Sequence, residues 1–170
     1  MATETIDIEG HPTLTLCEML RPGLKGVFVG LNPSPVSVAK GHYYQGRLGR
    51  ALWQRLQRFG VTGPLRPGSE DEDAFAQGFG FVDLIRLPTA RESGLSLRQK
   101  ASAASDLIKR LCALPDRPVI VFVFKAPCDL TGPELKRKGF TVMRMPGPYD
   151  PADKVAEIMH QISSALSREI

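Results

Sequence analysis

The strongest constraint on the fold is that short apolar runs alternate with segments of helical periodicity. Two runs, residues 27–31 and 119–124, are almost entirely apolar, and such runs are typical of strands buried on both faces of a sheet. In the segments around them, apolar residues recur every three to four positions, as they do on one face of a helix. Alternating strands and helices predict an α/β fold in which helices cover both faces of a mostly parallel sheet.

Each predicted element is bounded by Gly- and Pro-rich segments that are typical of loops. We predict a short edge strand over residues 13–20 and sheet strands over 25–31, 79–85, 119–124 and 140–144. We predict helices over residues 48–59, from the acidic run 70–73 onward, over 97–113, over 129–138 and at the C-terminus.

Caps and apolar stripes define three of these helices more closely. Ser69 is a predicted N-cap for the acidic helix, and Ser96 with Gln99 forms a predicted capping box for helix 97–113. The apolar stripe of that helix is predicted to comprise Leu97, Ala101, Ala104, Ile108 and Leu111. The stripe of the C-terminal helix is predicted to comprise Val155, Ile158, Ile162 and Ala165.

Length, charge and apolar content bound the class of protein. At 170 residues the chain is expected to form one domain over residues 1–170. No apolar run approaches the ~18 residues of a membrane-spanning helix. Residues 1–5 lack the basic start of a signal peptide, so we expect a cytoplasmic protein. The net charge of +4 permits a polyanionic partner, although an ordinary basic enzyme fits it equally well.

The cysteine content excludes several kinds of cofactor site. The three cysteines, Cys17, Cys112 and Cys128, are far apart in the sequence, whereas iron–sulfur and zinc sites of four cysteines need more ligands at paired spacing. Neither of the glycine-rich nucleotide-binding fingerprints occurs. We therefore expect no metal and no cofactor.

The first apolar run ends at a polar residue, Asn32, which is followed by Pro33. In open α/β sheets, ligands bind at the carboxyl ends of the strands, which is where Asn32 falls. A neutral amide is neither an acid nor a base, but it orients water or a carbonyl through hydrogen bonds. Two interpretations are open: Asn32 positions water in a reaction, or it only forms a turn before the proline.

Three loops, residues 32–47, 86–95 and 145–151, are predicted to meet at that edge of the sheet. Between them they supply an amide, cations, hydroxyls and flat side chains: Asn32, His42, Tyr43, Tyr44, Arg86, Thr89, Arg91, Ser93 and Tyr149. Such a set suits a flat heterocycle on a phosphate backbone, because stacking on aromatics contributes ~1–3 kcal/mol per base. The alternative interpretation is that the tyrosines pack in the loops and that His42, a possible general base, is a surface residue.

Read in order, these segments resemble the motifs of the uracil-DNA glycosylase superfamily. The nearest branch is that of the mismatch-specific uracil/thymine-DNA glycosylases, whose first motif, Gly-Ile-Asn-Pro-Gly, is similar to Gly30–Ser34 (Gly-Leu-Asn-Pro-Ser). An aromatic loop and a helix with a Trp follow in the family, and Gly41–Tyr44 and Trp53 match them. The resemblance extends over residues 25–165 and implies a parallel four-stranded sheet between helices, a three-layer α/β/α fold.

The later motifs resemble the family in the same order. Residues 80–89 match a segment that ends in Pro-Thr, and Leu95-Ser96 follows it at the start of a helix. Phe124-Lys125 corresponds to a Gly-Lys after the central strand, and Pro146–Tyr149 to the last loop. Enzymes of this family flip a damaged base out of DNA and hydrolyse the bond that joins it to the sugar.

The resemblance also implies roles for individual residues. Asn32 would hold the attacking water. The residues that it assigns to the base pocket are Gly30, Leu31 and Ser34, the backbone of the 43–45 loop, and either Tyr44 or Tyr43 as the stacking ring. The residues that it assigns to DNA contact are Lys125, Pro146, Gly147, Pro148 and Tyr149, with Tyr149 as the wedge. DNA is the expected partner of a monomer that does not act at a membrane.

Three departures from the family pattern concern the same site. Ser34 replaces a glycine, which alters the pocket floor. Pro148-Tyr149 replaces Gly-Leu, which makes the wedge stiffer and larger. Asp150 stands where the family has a Ser, and a carboxylate near phosphates is unfavourable unless it is paired; it either caps the last helix or assists catalysis. The acidic run 70–73 would repel DNA and is expected to face away from it.

Two other functions fit the same residues. One is a non-catalytic nucleic-acid-binding module on the same fold, and the other is a hydrolase of small nucleosides. An elongated basic surface around the three loops favours either DNA function, whereas a closed pocket without a groove favours the nucleoside hydrolase.

Overall fold

The computed structural model describes residues 2–91 and 94–167, in which strands and helices alternate along most of the chain. The strands are β1 (Thr3–Ile8), β2 (His11–Leu16), β3 (Gly26–Gly30), β4 (Phe79–Asp83), β5 (Val119–Phe122) and β6 (Val142–Arg144). The helices are α1 (Pro35–Lys40), α2 (Arg47–Arg58), α3 (Glu70–Ala76), α4 (Leu97–Cys112), α5 (Lys125–Arg137) and α6 (Ala152–Leu166).

The central sheet has four parallel strands in the order β4-β3-β5-β6. Strand β3 is buried along its whole length, as expected for the apolar run that forms it. Successive residues of a strand face opposite sides, so Phe28 and Phe81 pack with α2 and α6, whereas Val29 and Val82 pack with α4 and α5. The predicted three-layer α/β/α fold around a mostly parallel four-stranded sheet is confirmed.

The strand predicted over residues 13–20 ends earlier, at Leu16, and is not an edge of the central sheet. Strands β1 and β2 pair with each other in a separate antiparallel sheet. Their two-residue turn, Glu9-Gly10, has φ angles of 52° and 83°, the left-handed conformation that tight hairpins need. After Leu16 the chain leaves the hairpin, and only an isolated bridge between Met19 and Phe81 joins this segment to β4.

Two helices differ from their predicted positions for local reasons. The predicted loop 32–47 contains α1, which begins at Pro35, because a proline fits the first turn of a helix and Ser34 caps it. Helix α5 begins at Lys125 rather than 129, again with a proline, Pro127, in its first turn. The capping box of Ser96 and Gln99 is confirmed, whereas Ser69 makes no side-chain capping bond.

The predicted apolar stripes are only partly correct. In α4, Leu97 is 82% exposed and Ala101 is also exposed, whereas Leu107 and Leu111 are fully buried. The first turn of α4 therefore contributes no stripe residue to the core. Ala104 and Ile108 pack partly buried against the core and Leu111 is buried, as predicted, whereas Leu107 is a buried residue that the predicted stripe lacks. In α6 the buried residues are Val155, Met159, Ile162 and Leu166, so two of the four predicted positions are replaced by their neighbours.

Candidate active site

A cavity of about 390 Å³ lies at the carboxyl ends of β3 and β4. We call it the main cavity because it contains the predicted site residues, although it is not the largest cavity of the protein. Its lining includes Asn32, Ser34, Tyr43, Tyr44, Asp83, Thr89, Arg91 and Phe124, together with the first turn of α2. The first two predicted loops therefore meet here, as expected for the carboxyl edge of a parallel sheet. The third predicted loop lines an adjoining cavity of about 150 Å³.

Asn32 is held by hydrogen bonds from one end of its amide. Its Nδ2 donates to the carbonyl oxygen of Leu87 at 2.9 Å and to Thr89 Oγ1 at 2.7 Å. A carbonyl only accepts hydrogen bonds, so this contact fixes which end of the amide is the nitrogen. Among the described residues no donor reaches Oδ1, which leaves the amide oxygen of a cavity-lining side chain able to accept a hydrogen bond.

Buried carboxylates of α3 anchor the loop that carries the two tyrosines. Asp71, which is 0% exposed, accepts hydrogen bonds from the Tyr43 N–H and contacts His42 Nδ1, both at 2.8 Å. Glu70 accepts a hydrogen bond from Gln45 Nε2 at 3.0 Å. Burial raises the pKa of Asp71, although its hydrogen bonds act in the opposite direction. Two residues of the acidic run 70–73, Glu70 and Asp71, therefore hold this loop from inside the protein and are not part of a charged surface that faces away from DNA.

Tyr43 and Tyr44 both line the cavity but are held differently. Tyr43 is 2% exposed, and its hydroxyl donates to the Cys17 carbonyl oxygen at 3.0 Å. The Tyr44 ring meets Trp53 edge-on, with 5.7 Å between ring centroids, and its buried hydroxyl has no hydrogen-bond partner among the described residues. Burial raises the pKa of both phenols well above the ordinary value, so both stay neutral.

Two glycines allow the close approach of the segments around Tyr44. The Tyr44 backbone has a φ of 56°, an uncommon conformation for a residue with a side chain. A Cβ at Gly49 of α2 would lie 2.0 Å from the Tyr44 carbonyl oxygen. A Cβ at Gly30 would lie 2.2 Å from Asp83 Oδ1. A side chain at Gly30, a predicted base-pocket residue, would therefore displace the Asp83 carboxyl group. Gly30 itself does not line the main cavity, whereas Leu31 and Ser34 do.

Asp83 is the cavity residue that sequence reasoning missed. It stands at the end of β4, is 6% exposed and lines the cavity. Burial, followed by the charge of Glu18, raises the pKa of its carboxyl to about 7, against the opposing charges of Arg86 and Arg110. The sequence signal was a single charged residue within an otherwise apolar strand, at the sheet edge where ligands bind.

The serine that replaces the family glycine has a structural task. Ser34 Oγ accepts a hydrogen bond from the Ser37 N–H at 3.1 Å and so caps α1. It also donates to Ser37 Oγ at 3.1 Å, which in turn accepts the Gln45 N–H. Through Ser37, this serine therefore connects the first motif, residues 30–34, to the loop of residues 41–45 by hydrogen bonds.

Backbone donors of that loop are largely engaged already. The N–H groups of Tyr43 and Gln45 donate to Asp71 and to Ser37, so of the three N–H groups in residues 43–45 only that of Tyr44 has no partner among the described residues. The Tyr44 N–H is therefore the backbone donor of this loop that remains for a base.

Several predicted residues lie away from the cavity. Lys125 is 74% exposed and pairs with Asp129 in the first turn of α5. The Arg86 guanidinium binds the Leu16 carbonyl oxygen and Glu4. His42 contacts Asp71 and does not line the cavity. Ser93 lies outside the described residues.

The third loop forms a protruding edge beside the cavity. The carbonyl oxygen of Pro146 accepts a hydrogen bond from Arg55 Nη1 at 3.1 Å, and Pro148 lines the adjoining cavity, which shares Tyr44 with the first. Tyr149 is 93% exposed. Asp150 accepts a hydrogen bond from the Gly147 N–H at 2.8 Å and pairs with Lys154.

The contacts of Asp150 support neither of its two predicted tasks. The hydrogen bond from Gly147, and then that from Lys154, lower its pKa, so it is a paired carboxylate that closes a turn. Helix α6 has Pro151 as its N-cap with no side-chain capping bond, and Asp150 does not line the main cavity. Both predicted tasks, the helix cap and the catalytic one, therefore find no support.

A comparison with protein families adds an independent finding. The family model described as the uracil DNA glycosylase superfamily matches residues 18–148. The matched region includes every described residue that lines the main cavity except Leu16, and it ends one residue before Tyr149. This chain belongs to the uracil DNA glycosylase superfamily.

Proposed function

We propose that this protein is a monofunctional DNA glycosylase that removes uracil, or a related deaminated or mismatched base, from DNA. Among the branches of the superfamily, the mismatch-specific one is the nearest on the first motif. Membership of the superfamily supports the glycosylase chemistry. The observation that carries the proposal is the amide of Asn32 in the wall of the main cavity. Its Nδ2 donates two hydrogen bonds, whereas its Oδ1 accepts none from the described residues and can bind water.

The reaction needs water to be placed more than it needs a strong base. The bond between the sugar C1′ and the base nitrogen breaks, its electron pair leaves with the base, and the sugar becomes oxocarbenium-like. Water then adds its oxygen to C1′, and its proton goes to solvent or to the departed base anion. In this scheme Asn32 Oδ1 accepts a hydrogen bond from that water and holds it near C1′.

Tyr44 is the better of the two candidates for the stacking ring. The Tyr43 ring is locked by its hydroxyl bond to Cys17 and its contact with Phe81. Tyr44 borders both cavities, and its ring is fixed edge-on against Trp53. A ring held in advance loses little conformational entropy when a base stacks on it. Leu31 and Ser34 complete the proposed pocket, with Gly30 beneath it.

The proposed DNA-facing surface runs from the cavity to the third loop. Tyr149 is the wedge that fills the space of the flipped base, carried by Pro146, Gly147 and Pro148. Arg47 and Arg91 line the main cavity and offer positive charge to phosphates. Lys125, which is exposed and pairs with Asp129, would join them by exchanging that partner for a phosphate. Because Asp150 is paired with Lys154, its charge opposes DNA binding less than an isolated carboxylate would.

We also propose that residues 1–170 act as a single domain and as a monomer. The hairpin supports the single domain, since Thr15 donates to the Arg86 carbonyl oxygen at 2.6 Å and Leu16 lines the main cavity. Within the described residues, none of the helices is long and apolar enough to cross a bilayer.

The direct test is an assay of base release from labelled duplexes. Purified protein is incubated with DNA containing uracil, thymine or hypoxanthine opposite guanine, and with free deoxyuridine. We expect release from the G·U duplex that leaves an alkali-sensitive abasic site without strand cleavage before alkali. Intact substrates throughout would contradict the proposal and favour a binding module, and cleavage of free deoxyuridine alone would favour the nucleoside hydrolase.

A further inference from the structure

The carboxyl group of Asp83 is a buried acid in the wall of the main cavity that no step of the proposed mechanism uses. Its residue is 6% exposed, and among the described residues no donor hydrogen-bonds its side chain. An ionised carboxylate that is buried without such partners is strongly disfavoured. The position therefore favours a neutral carboxylic acid.

The charged groups packed around Asp83 are engaged with other partners. Arg110 pairs with Glu18 at 2.7 Å and reaches only the backbone carbonyl oxygen of Asp83, at 3.3 Å. Arg86 pairs with Glu4 and the Leu16 carbonyl oxygen. Tyr43 and Tyr44, from the facing loop, are neutral. The net effect of burial and these charges is a pKa of about 7.

A second polar atom converges on the same place. A Cβ built on Gly30 would lie 2.2 Å from Asp83 Oδ1 and 3.1 Å from Tyr44 Oη, so both atoms occupy the space that this glycine leaves open. The Tyr44 hydroxyl is buried without a partner among the described residues. A buried hydroxyl without a partner is costly, which points to a polar ligand or a protonated carboxyl as its missing counterpart.

The two protonation states of an aspartate present different edges to a base. A neutral carboxyl offers one O–H donor and one C=O acceptor, whereas a carboxylate offers acceptors only. Uracil presents a carbonyl acceptor beside an N3–H donor, so the neutral acid can form two hydrogen bonds with it. The carboxylate can keep only the bond from N3–H and faces the uracil carbonyl with a second acceptor.

We propose that Asp83 reads the polar edge of the flipped base as a neutral carboxylic acid, and that its deprotonation switches off uracil excision. The inference rests on the proposed glycosylase function and adds to it a recognition residue and a pH limit. A carboxylate would also oppose the leaving of uracil as an anion, because like charges repel strongly in a buried site. Recognition and departure of the base thus fail together at high pH.

The test compares pH profiles of single-turnover uracil release by the wild type, Asp83→Asn and Asp153→Asn. An asparagine keeps one donor and one acceptor at every pH, and Asp153 is an exposed residue of α6 that serves as the matched control. We expect the wild type and Asp153→Asn to lose about tenfold in rate per pH unit above about pH 7. Asp83→Asn should lose that decline.

The outcomes separate this inference from the proposed function. If Asp83→Asn declines with pH as the wild type does, the role of Asp83 is wrong while the glycosylase function stands. If the wild type releases no uracil at any pH, the proposed function itself fails. Circular dichroism checks that the variant is folded.

A second measurement uses the wild type alone, in case Asp83→Asn does not fold. Duplexes that carry a non-hydrolysable 2′-fluoro-2′-deoxyuridine opposite guanine are compared by fluorescence anisotropy across pH with the same duplexes carrying a tetrahydrofuran abasic analogue at that position. Only the uracil duplex presents a base edge to Asp83, and the carboxylate keeps one hydrogen bond to it instead of two, so we expect the preference for uracil to fall as pH rises through about 7. A preference that does not change with pH would overturn the proposal.

Discussion

The two loops that carry the exposed and buried aromatic residues of the site are held in opposite ways. Residues 41–45 are anchored from inside by carboxylates of α3, of which Asp71 is 0% exposed. Residues 145–151 are held by prolines and by Asp150 at the surface. Accordingly Tyr43 is 2% exposed, whereas Tyr149 is 93% exposed.

Aromatic residues on neighbouring loops therefore serve different purposes, which depend on how each loop is anchored. Hydrogen bonds to buried carboxylates are costly to lose, so they fix the first loop and make Tyr44 a rigid part of a cavity wall. The third loop has few such bonds and offers Tyr149 to a partner. Rigidity suits recognition of a base, and exposure suits contact with a duplex.

The largest expected effect comes from removing the internal anchor. Asp71→Ala leaves the buried N–H of Tyr43 without its acceptor, so we expect the free energy of unfolding to fall by about 1–3 kcal/mol. Urea denaturation measures it, and Glu72→Ala, at an exposed neighbouring position, is the matched control that should change little. Equal stability of the two variants would show that the first loop is not anchored in this way.

A smaller effect, confined to duplex DNA, is expected from the third loop. Tyr149→Ala removes the exposed ring, so we expect duplex binding to weaken by about tenfold, in the range of one lost base–aromatic stack, with little change on single strands. Fluorescence anisotropy with both DNA forms measures this. Leu130→Ala removes another exposed apolar side chain, on α5, and should bind both DNA forms as the wild type does; a loss in Tyr149→Ala that is equal on both would argue against a wedge.

The smallest expected effect is an opposite pH dependence of stability at the two anchors. Burial raises the pKa of Asp71, so the folded state binds its proton more tightly, and the wild type gains stability over Asp71→Asn as pH falls through that raised pKa. Pairing lowers the pKa of Asp150, so its stabilising contribution is present above its ordinary pKa of 3.8 and is lost as pH falls through the lowered one.

Urea denaturation of the wild type, Asp71→Asn and Asp150→Asn at several pH values measures both trends. The stability difference between wild type and variant should change with opposite sign in the two cases. Slopes of the same sign would mean that the two carboxylates are not held in the contrasting ways described above.

The sheet was predictable because apolar runs of strand length leave little choice of structure. The hairpin was missed although alternation at Ile6 and Ile8 and the turn at Glu9-Gly10 are typical signals of one. Helix α1 was missed because six residues beginning with Pro35 are too few for a periodic stripe, and only the cap at Ser34 marked it.

At the site, position along the chain was predictable but burial was not. Asn32 was identified because it follows a strand and begins a turn. Nothing in the sequence distinguishes Tyr43 from Tyr44, since their difference depends on Asp71, which lies 28 residues further along the chain than Tyr43. Asp83 was read as one residue of a strand, and its place in the cavity follows from the pairing of β4 with β3.

The central claim is that Asn32 holds the water that completes base release. The most direct measurement compares single-turnover uracil release and duplex binding for the wild type and Asn32→Ala on the same G·U substrate. The account predicts release slowed by at least about 100-fold, as for the loss of one positioned polar group at a reacting centre, with duplex binding retained. Uracil release by Asn32→Ala at the wild-type rate would contradict it.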